Sequence, residues 1–233
     1  MRFPVSRLFA MAAVLLLVPP AARAGEEAAK ALQVLEAGVA ASKAGYKETY
    51  LSFKPAYEAL AEKYRGTEEA LGAKLWLLRN TWWHRDEGTM EKKAAALADE
   101  ILSQYPESEQ LAGIPDCYFS FSAADRERIL STLSEKSKHA KVRGSALLRL
   151  GLSSKGVRRK EILERLVKEY AEVPHHFTTV GAMAAASLSP HPADDLAVGK
   201  AAPEIEGRTR DGKPIRLSAY RGKVVVIDFF GDW

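Results

Sequence analysis

TYLSFKPAYEALAEKY, residues 49–64, decides how this chain is read. Tyr50, Phe53, Tyr57, Leu60 and Tyr64 alternate at spacings of three and four, which places five large side chains on one stripe of an α-helix. Pro55 interrupts that stripe. Because proline is tolerated in the first turn of a helix, it is read as marking a new helix rather than a kink.

The same periodicity extends in both directions. Stripes recur at Leu71, Leu75, Leu78 and Trp82; at Ala94, Leu97, Ile101 and Tyr105; and at Ile129, Leu130 and Leu133. Two more run through Val142, Ala146 and Leu150 and through Ile162, Leu166 and Tyr170. The breaks are short and chemically recognisable, as at Arg65-Gly66-Thr67, Tyr105-Pro106-Glu107-Ser108 and Val173-Pro174. From Glu26 to about Leu188 the chain therefore reads almost wholly as helix, with connections short enough to favour antiparallel neighbours.

Lys63-Tyr64, Gln104-Tyr105 and Glu169-Tyr170 each end a helical stripe and precede a turn. The recurrence resembles tetratricopeptide-type hairpins, in which a terminal aromatic closes one helix pair against the next. The tyrosines stand 41 and then 65 residues apart, so there is no strict 34-residue period. An irregular array of helical hairpins is expected, with a closed helical bundle as the alternative.

The N-terminus fixes the compartment. Arg2 and Arg7 form a short basic region, Leu8 to Val18 is uninterruptedly apolar, and Pro19-Pro20-Ala21-Ala22-Arg23-Ala24 ends in a small-x-small pattern. Residues 1–24 are thus expected to be a secretory signal peptide, cut after Ala24. The apolar run of about eleven residues falls short of the roughly twenty that span a bilayer, so no stable membrane anchor is expected. The location implied is periplasmic or extracellular.

The formal charge of +4 includes Arg2, Arg7 and Arg23, so the mature chain is near +1. Nucleic-acid binding needs a basic face rather than a slight excess, and none is expected. Lys155, Arg158, Arg159 and Lys160 lack interleaved aromatics and read as a solvated helix start. An exported chain can form disulfides freely, yet Cys117 is the only cysteine, so the fold must rest on core packing. Flanked by Asp116 and Tyr118 with no nearby base, Cys117 reads as a small buried hydrophobe. His175-His176 with His191 matches no metal-ligand spacing, and neither a metal nor a cofactor is expected. Trp82-Trp83-His84 reads as core plus rim, with a sugar or peptide platform as the alternative.

Beyond residue 188 the pattern changes. Ser189-Pro190-His191-Pro192-Ala193-Asp194-Asp195 has two prolines and no apolar period, which suits a linker over 189–197. Asp211-Gly212 is a turn signal, and Lys223 to Phe230 reads as a strand through Val224, Val225, Val226 and Ile227. Unbroken β-branched apolarity belongs to a strand covered on both faces, as in an α/β sheet.

VGKAAPEIEGRTRDGKPIRLSAYRGKVVVIDFFGDW, residues 198–233, resembles the start of the redoxin superfamily, which includes the AhpC/TSA peroxiredoxins and the TlpA/ResA-type thiol-disulfide oxidoreductases. The resemblance rests on Gly199, Ala202 and Pro203; on Asp211, Gly212 and Lys213; on Leu217 and Ser218; and on Arg221 through Val226, in that order. Asp228-Phe229-Phe230-Gly231-Asp232-Trp233 favours the TlpA/ResA branch, where Trp-Cys-x-x-Cys follows such a strand. Phe230 departs from that branch's usual tryptophan.

The resemblance implies a thioredoxin-like α/β domain that exchanges dithiols with disulfides on protein or small-molecule substrates and is recharged by an upstream thiol reductant. It makes Asp228 a candidate proton acceptor for the resolving thiol, against the plainer reading of an exposed strand-end residue. It makes Trp233 the residue before the nucleophilic cysteine. That cysteine pair is not in the chain, so a segment of a longer protein is expected, itself inactive. The expected organisation is a mainly α array over 25–188 and an incomplete thioredoxin-like domain over 198–233. A periplasmic helical-repeat protein that binds a peptide or protein partner, with a vestigial redoxin segment, is the rival reading; an AhpC/TSA-type peroxiredoxin is a third.

Overall fold

The structure, a computed structural model, describes residues 20–188, 198–202, 204–209 and 211–228. The chain divides into two units, Met1–Leu188 and Ser189–Trp233. The apolar run expected to be a signal peptide and the expected linker lie outside the described residues. The described residues are mainly helical, with two small two-stranded sheets.

In the first unit, helix α1 spans Pro20–Ala41, α2 Tyr46–Lys63 and α3 Glu68–Arg79. A 3₁₀ segment, Asn80–Glu87, leads to α4, Met90–Gln104, and a second, Glu109–Ser120, leads to α5, Ala123–Lys136. Then come α6, Ala140–Ser153, and α7, Gly156–Glu169, followed by a hairpin of β1, Pro174–His175, with β2, Thr178–Thr179, and finally α8, Val180–Leu188. Consecutive helices pack on one another, α2 on α3, α5 on α6, α6 on α7 and α7 on α8, as short connections require.

The decisive stretch forms one helix, not two. α2 runs straight through Pro55, which corrects the expected break. The ring removes the donor that would have served the Leu51 carbonyl, but Leu51 and Pro55 are both exposed, so water can serve that carbonyl instead. Tyr50, Tyr57 and Leu60 are buried as the stripe demands, and Tyr57 stacks on Trp76 of α3 with ring centroids 3.8 Å apart and planes 6° from parallel.

The three tyrosines close their helices. Tyr64, Tyr105 and Tyr170 are the C-cap residues of α2, α4 and α7, each returning its N–H to the carbonyl four residues back. Tyr105 does more, because its hydroxyl accepts from the Gly66 N–H at 3.1 Å and so ties the end of α4 to the turn between α2 and α3. Thr67 and Ser108 cap the elements that follow, accepting from Ala70 N–H and Gln110 N–H at 3.2 Å each. This architecture is compatible with a helical-hairpin array.

Three apolar clusters follow chain order. Tyr57, Leu60, Ala61, Ala73 and Leu77 join α2 to α3, with Leu32, Leu35 and Val39 of α1 packed against them. Leu71, Leu75 and Leu78 begin a larger core that takes in Ile101, Ile114, Ile129, Leu133 and Leu150. Leu148, Leu163, Leu166 and Val180 form the third, between α6, α7 and α8. Leu71, Leu75 and Leu78 keep their place in the stripe, but Trp82 is 40 % exposed. α3 stops at Arg79, and the tighter 3₁₀ winding carries Trp82 off the face it would occupy in a continued α-helix.

In the second unit, β3, Glu206–Arg208, pairs antiparallel with β4, Pro214–Arg216, in the register Glu206 to Arg216 and Arg208 to Pro214. A 3₁₀ turn, Leu217–Tyr220, follows. Gly212, at φ +80°, supplies the left-handed conformation that the connecting turn requires.

Gly181 at the start of α8 gives a test of the packing. A methyl group there would lie 2.5 Å from Ala171 Cα and 2.8 Å from its carbonyl oxygen. Alanine is the better helix former by about 0.5–1 kcal/mol, but backbone cannot swing aside as a side chain can. Gly181→Ala is therefore expected to destabilise the protein by about 1–3 kcal/mol in chemical denaturation.

Candidate functional site

Residues 223–228 carry the sequence features on which the redox reading depends. No hydrogen-bonded ladder includes them, so the expected strand is not formed among the described residues. Exposure along it nevertheless alternates, 97 % at Val224, 42 % at Val225, 90 % at Val226 and 46 % at Ile227, the period of two that extended backbone produces. Val225 and Ile227 face Ile205, Ile215, Leu217 and Tyr220 around an apolar cavity of about 210 Å³. Val224 and Val226 are almost fully exposed among the described residues. Among the described residues, one side of the run is partly shielded by the hairpin and the turn, and the other is bare.

Asp228 stands at the end of this run and is exposed. Nothing among the described residues removes water from its carboxylate, which is what a proton acceptor beneath a cysteine pair would need. Trp233 lies outside the described residues.

Cys117 sits in the first unit, in the second 3₁₀ segment, and belongs to the main core. Its thiol donates to the Gly113 carbonyl at 3.6 Å. Burial pushes the Cys117 thiol up to about 12, against a small opposing pull from Arg79 and with a further push from Asp116. A reactive thiol needs the opposite setting, electropositive and accessible.

His84, the polar member of Trp82-Trp83-His84, anchors a network across the array. Its Nε2 lies 2.8 Å from Tyr50 Oη and its Nδ1 lies 3.1 Å from Glu87 Oε2. Lys93 Nζ donates to the same Glu87 oxygen at 2.9 Å. Burial, with Glu58 and Glu87 adding to it, raises the Tyr50 phenol to about 12, so it remains protonated. The hydrogen bonds from Lys93 and His84 hold the Glu87 carboxyl down at about 2. Trp82 and Trp83 line an open cleft of about 540 Å³ with Phe119, and Arg85 lies 4.6 Å above the Trp82 ring. Sequence reading raised this aromatic pair but missed Phe119, which the second 3₁₀ segment brings from 36 residues away.

Among the described residues no three metal-ligating side chains converge. His175 and His176 lie together on the β1–β2 hairpin, with ring centroids 4.4 Å apart; His191 lies outside the described residues. No described helix is long and apolar enough to cross a membrane.

Two measurements check these assignments. Cys117 is expected to resist a thiol-specific chromogenic reagent in the native protein at pH 8 and to react fully in denaturant. Glu87 has its folded pKa depressed below the unfolded carboxylate value near ~4.3, so its contribution to stability is present above that value and is lost as pH falls towards about 2. Glu87→Gln is thus expected to lower the melting temperature at pH 6 and to lower it much less at pH 2.

No family model, no curated protein and no solved structure matches this chain.

Proposed function

We propose that the chain belongs to an exported thiol-disulfide oxidoreductase of redoxin type, in which residues 198–228 open the catalytic domain and residues 25–188 form a helical domain. One observation carries the reading. The run Val224 to Ile227 turns Val225 and Ile227 towards its own hairpin, where they are only partly shielded, and leaves Val224 and Val226 almost fully exposed, which suits a strand whose remaining cover comes from elsewhere in the domain. The ordered matches at Gly199, Asp211-Gly212-Lys213, Leu217-Ser218 and Arg221 to Val226 support the same assignment.

The chemistry of such a domain is conserved in electrons. A thiolate attacks a substrate disulfide, forming a mixed disulfide and releasing the substrate's first sulfur as a thiolate. The second cysteine then loses its proton and attacks the enzyme sulfur of that mixed disulfide. The substrate leaves as a dithiol, the enzyme is left oxidised, and a thiol reductant returns the two electrons. Asp228 would accept the resolving thiol's proton once the absent layer covers it. None of this is available to residues 1–233 themselves, whose one thiol is buried and protonated.

The test reads the coding DNA beyond the Trp233 codon. Cys-x-x-Cys directly after it, in the same frame or a shifted one, is expected; a run of coding sequence or a stop with no such pair in any frame would remove the proposal. In the insulin-reduction assay with dithiothreitol, these 233 residues are expected to add no rate to the background.

A further inference from the structure

A second cleft, of about 350 Å³, opens in the first unit between α3, α6, the second 3₁₀ segment and the β1–β2 hairpin. Such a volume suits a small organic ligand. Among its lining residues is Ser145, in α6 and only 4 % exposed. Three helical serines, Ser52, Ser153 and Ser187, return their O–H to a carbonyl four residues back. Ser145 does not, and its hydroxyl has no partner among the described residues. Its oxygen is nevertheless not sealed off, so it opens on the cleft and is available to a ligand there.

The charges around it are unequal. Arg79 and Lys141 line the cleft, are exposed and form no ion pair among the described residues. Of the two acids in the wall, Asp116 is already engaged, 3.5 Å from Arg149 Nη2 and 3.4 Å from His176 Nε2. Glu109 is the other. Two unmatched cations against one unmatched acid favour a single negative charge over a multiply charged anion. Burial, then His176, lowers the His175 pKa, so at neutral pH that ring offers a hydrogen bond rather than a charge.

The cleft also has an apolar extension. Arg79 and Asp116 line both it and the aromatic cleft of Trp82, Trp83 and Phe119. The hairpin wall is itself held in a costly shape, since His176 adopts φ +49° at the first loop position, where glycine is the ordinary occupant.

We infer that the paired clefts bind a monocarboxylate with an aromatic or aliphatic body, the carboxylate on Arg79, Lys141 and Ser145 and the body against Trp82 and Phe119. This reading is independent of the redox proposal, since it uses no residue beyond the first unit.

Calorimetry and tryptophan fluorescence on the 233-residue protein test it with three probes: phenylacetate, N-acetyl-Ala-Ala-Phe as the free acid, and the same peptide as its C-terminal amide. A free acid is expected to bind at least about tenfold more tightly than the amide, because one charge-assisted hydrogen bond has roughly that effect. If phenylacetate binds as well as the peptide acid, the natural ligand is a small organic acid; if only the peptide acid binds, it is a chain terminus.

Arg79→Gln and Lys141→Gln, both at exposed positions, should each weaken binding about tenfold. Glu109→Gln should strengthen it. Ser145→Ala should weaken binding several-fold without lowering the melting temperature, since the hydroxyl makes no bond to lose. Equal affinity for acid and amide, no binding of either acid up to about 10 mM, or a Ser145→Ala variant that melts lower yet binds unchanged would overturn the inference.

Discussion

The structure hangs on one helix with two buried faces. Ala73 and Leu77 of α3 pack towards α1 and α2, whereas Leu71, Leu75 and Leu78 pack into the core built with α4, α5, α6 and the second 3₁₀ segment. An amphipathic helix at the surface has one apolar stripe; α3 has two and must be covered on both. That requirement orders everything around it. Even its lysine conforms, because Lys74 is buried and Glu100 of α4 receives it at 2.7 Å, which satisfies a charge that would otherwise oppose burial. The Glu100 carboxyl is held below its ordinary range chiefly by that hydrogen bond.

The same rule explains why residues 223–228 look unlike the rest. A β-branched run with apolar residues at every position presents two apolar faces, as α3 does. α3 finds cover on both sides within its own unit; among the described residues Val224 and Val226 do not. Exposed β-branched edges are a hazard that folded proteins suppress with charge, proline or a covering layer, and between Val224 and Ile227 this segment has neither charge nor proline.

Much of the helical unit was legible because its stripes are long. Tyr50 to Tyr64 spans about four turns, and its periodicity overrode Pro55, whose local effect was misjudged because the exposure of the carbonyl it strands cannot be read from sequence. The helix-ending tyrosines were visible as a recurrence, although the Tyr105 hydroxyl reaching Gly66 could not be. What stayed hidden lies in the two 3₁₀ segments and the β1–β2 hairpin, where no 3.6-residue period exists to be counted. The candidate site divides likewise. Cys117 was read as buried from its neighbours alone, whereas the unpartnered Ser145 is one serine among many until its helix is placed.

Those hidden segments are also where the chemistry collects. Asn80–Glu87 and Glu109–Ser120 together supply Trp82, Trp83, His84, Glu109, Asp116 and Phe119, and α3 ends on Arg79 at the point where the first begins. A tightened helix turns successive side chains out of register with the core, so aromatic and charged groups that an α-helix would bury or scatter are instead gathered at its rim. Such a geometry contributes little to core packing. It breaks the local rule that the long helices obey, and a position where sequence, packing and charge cease to agree is where binding chemistry is most reasonably sought.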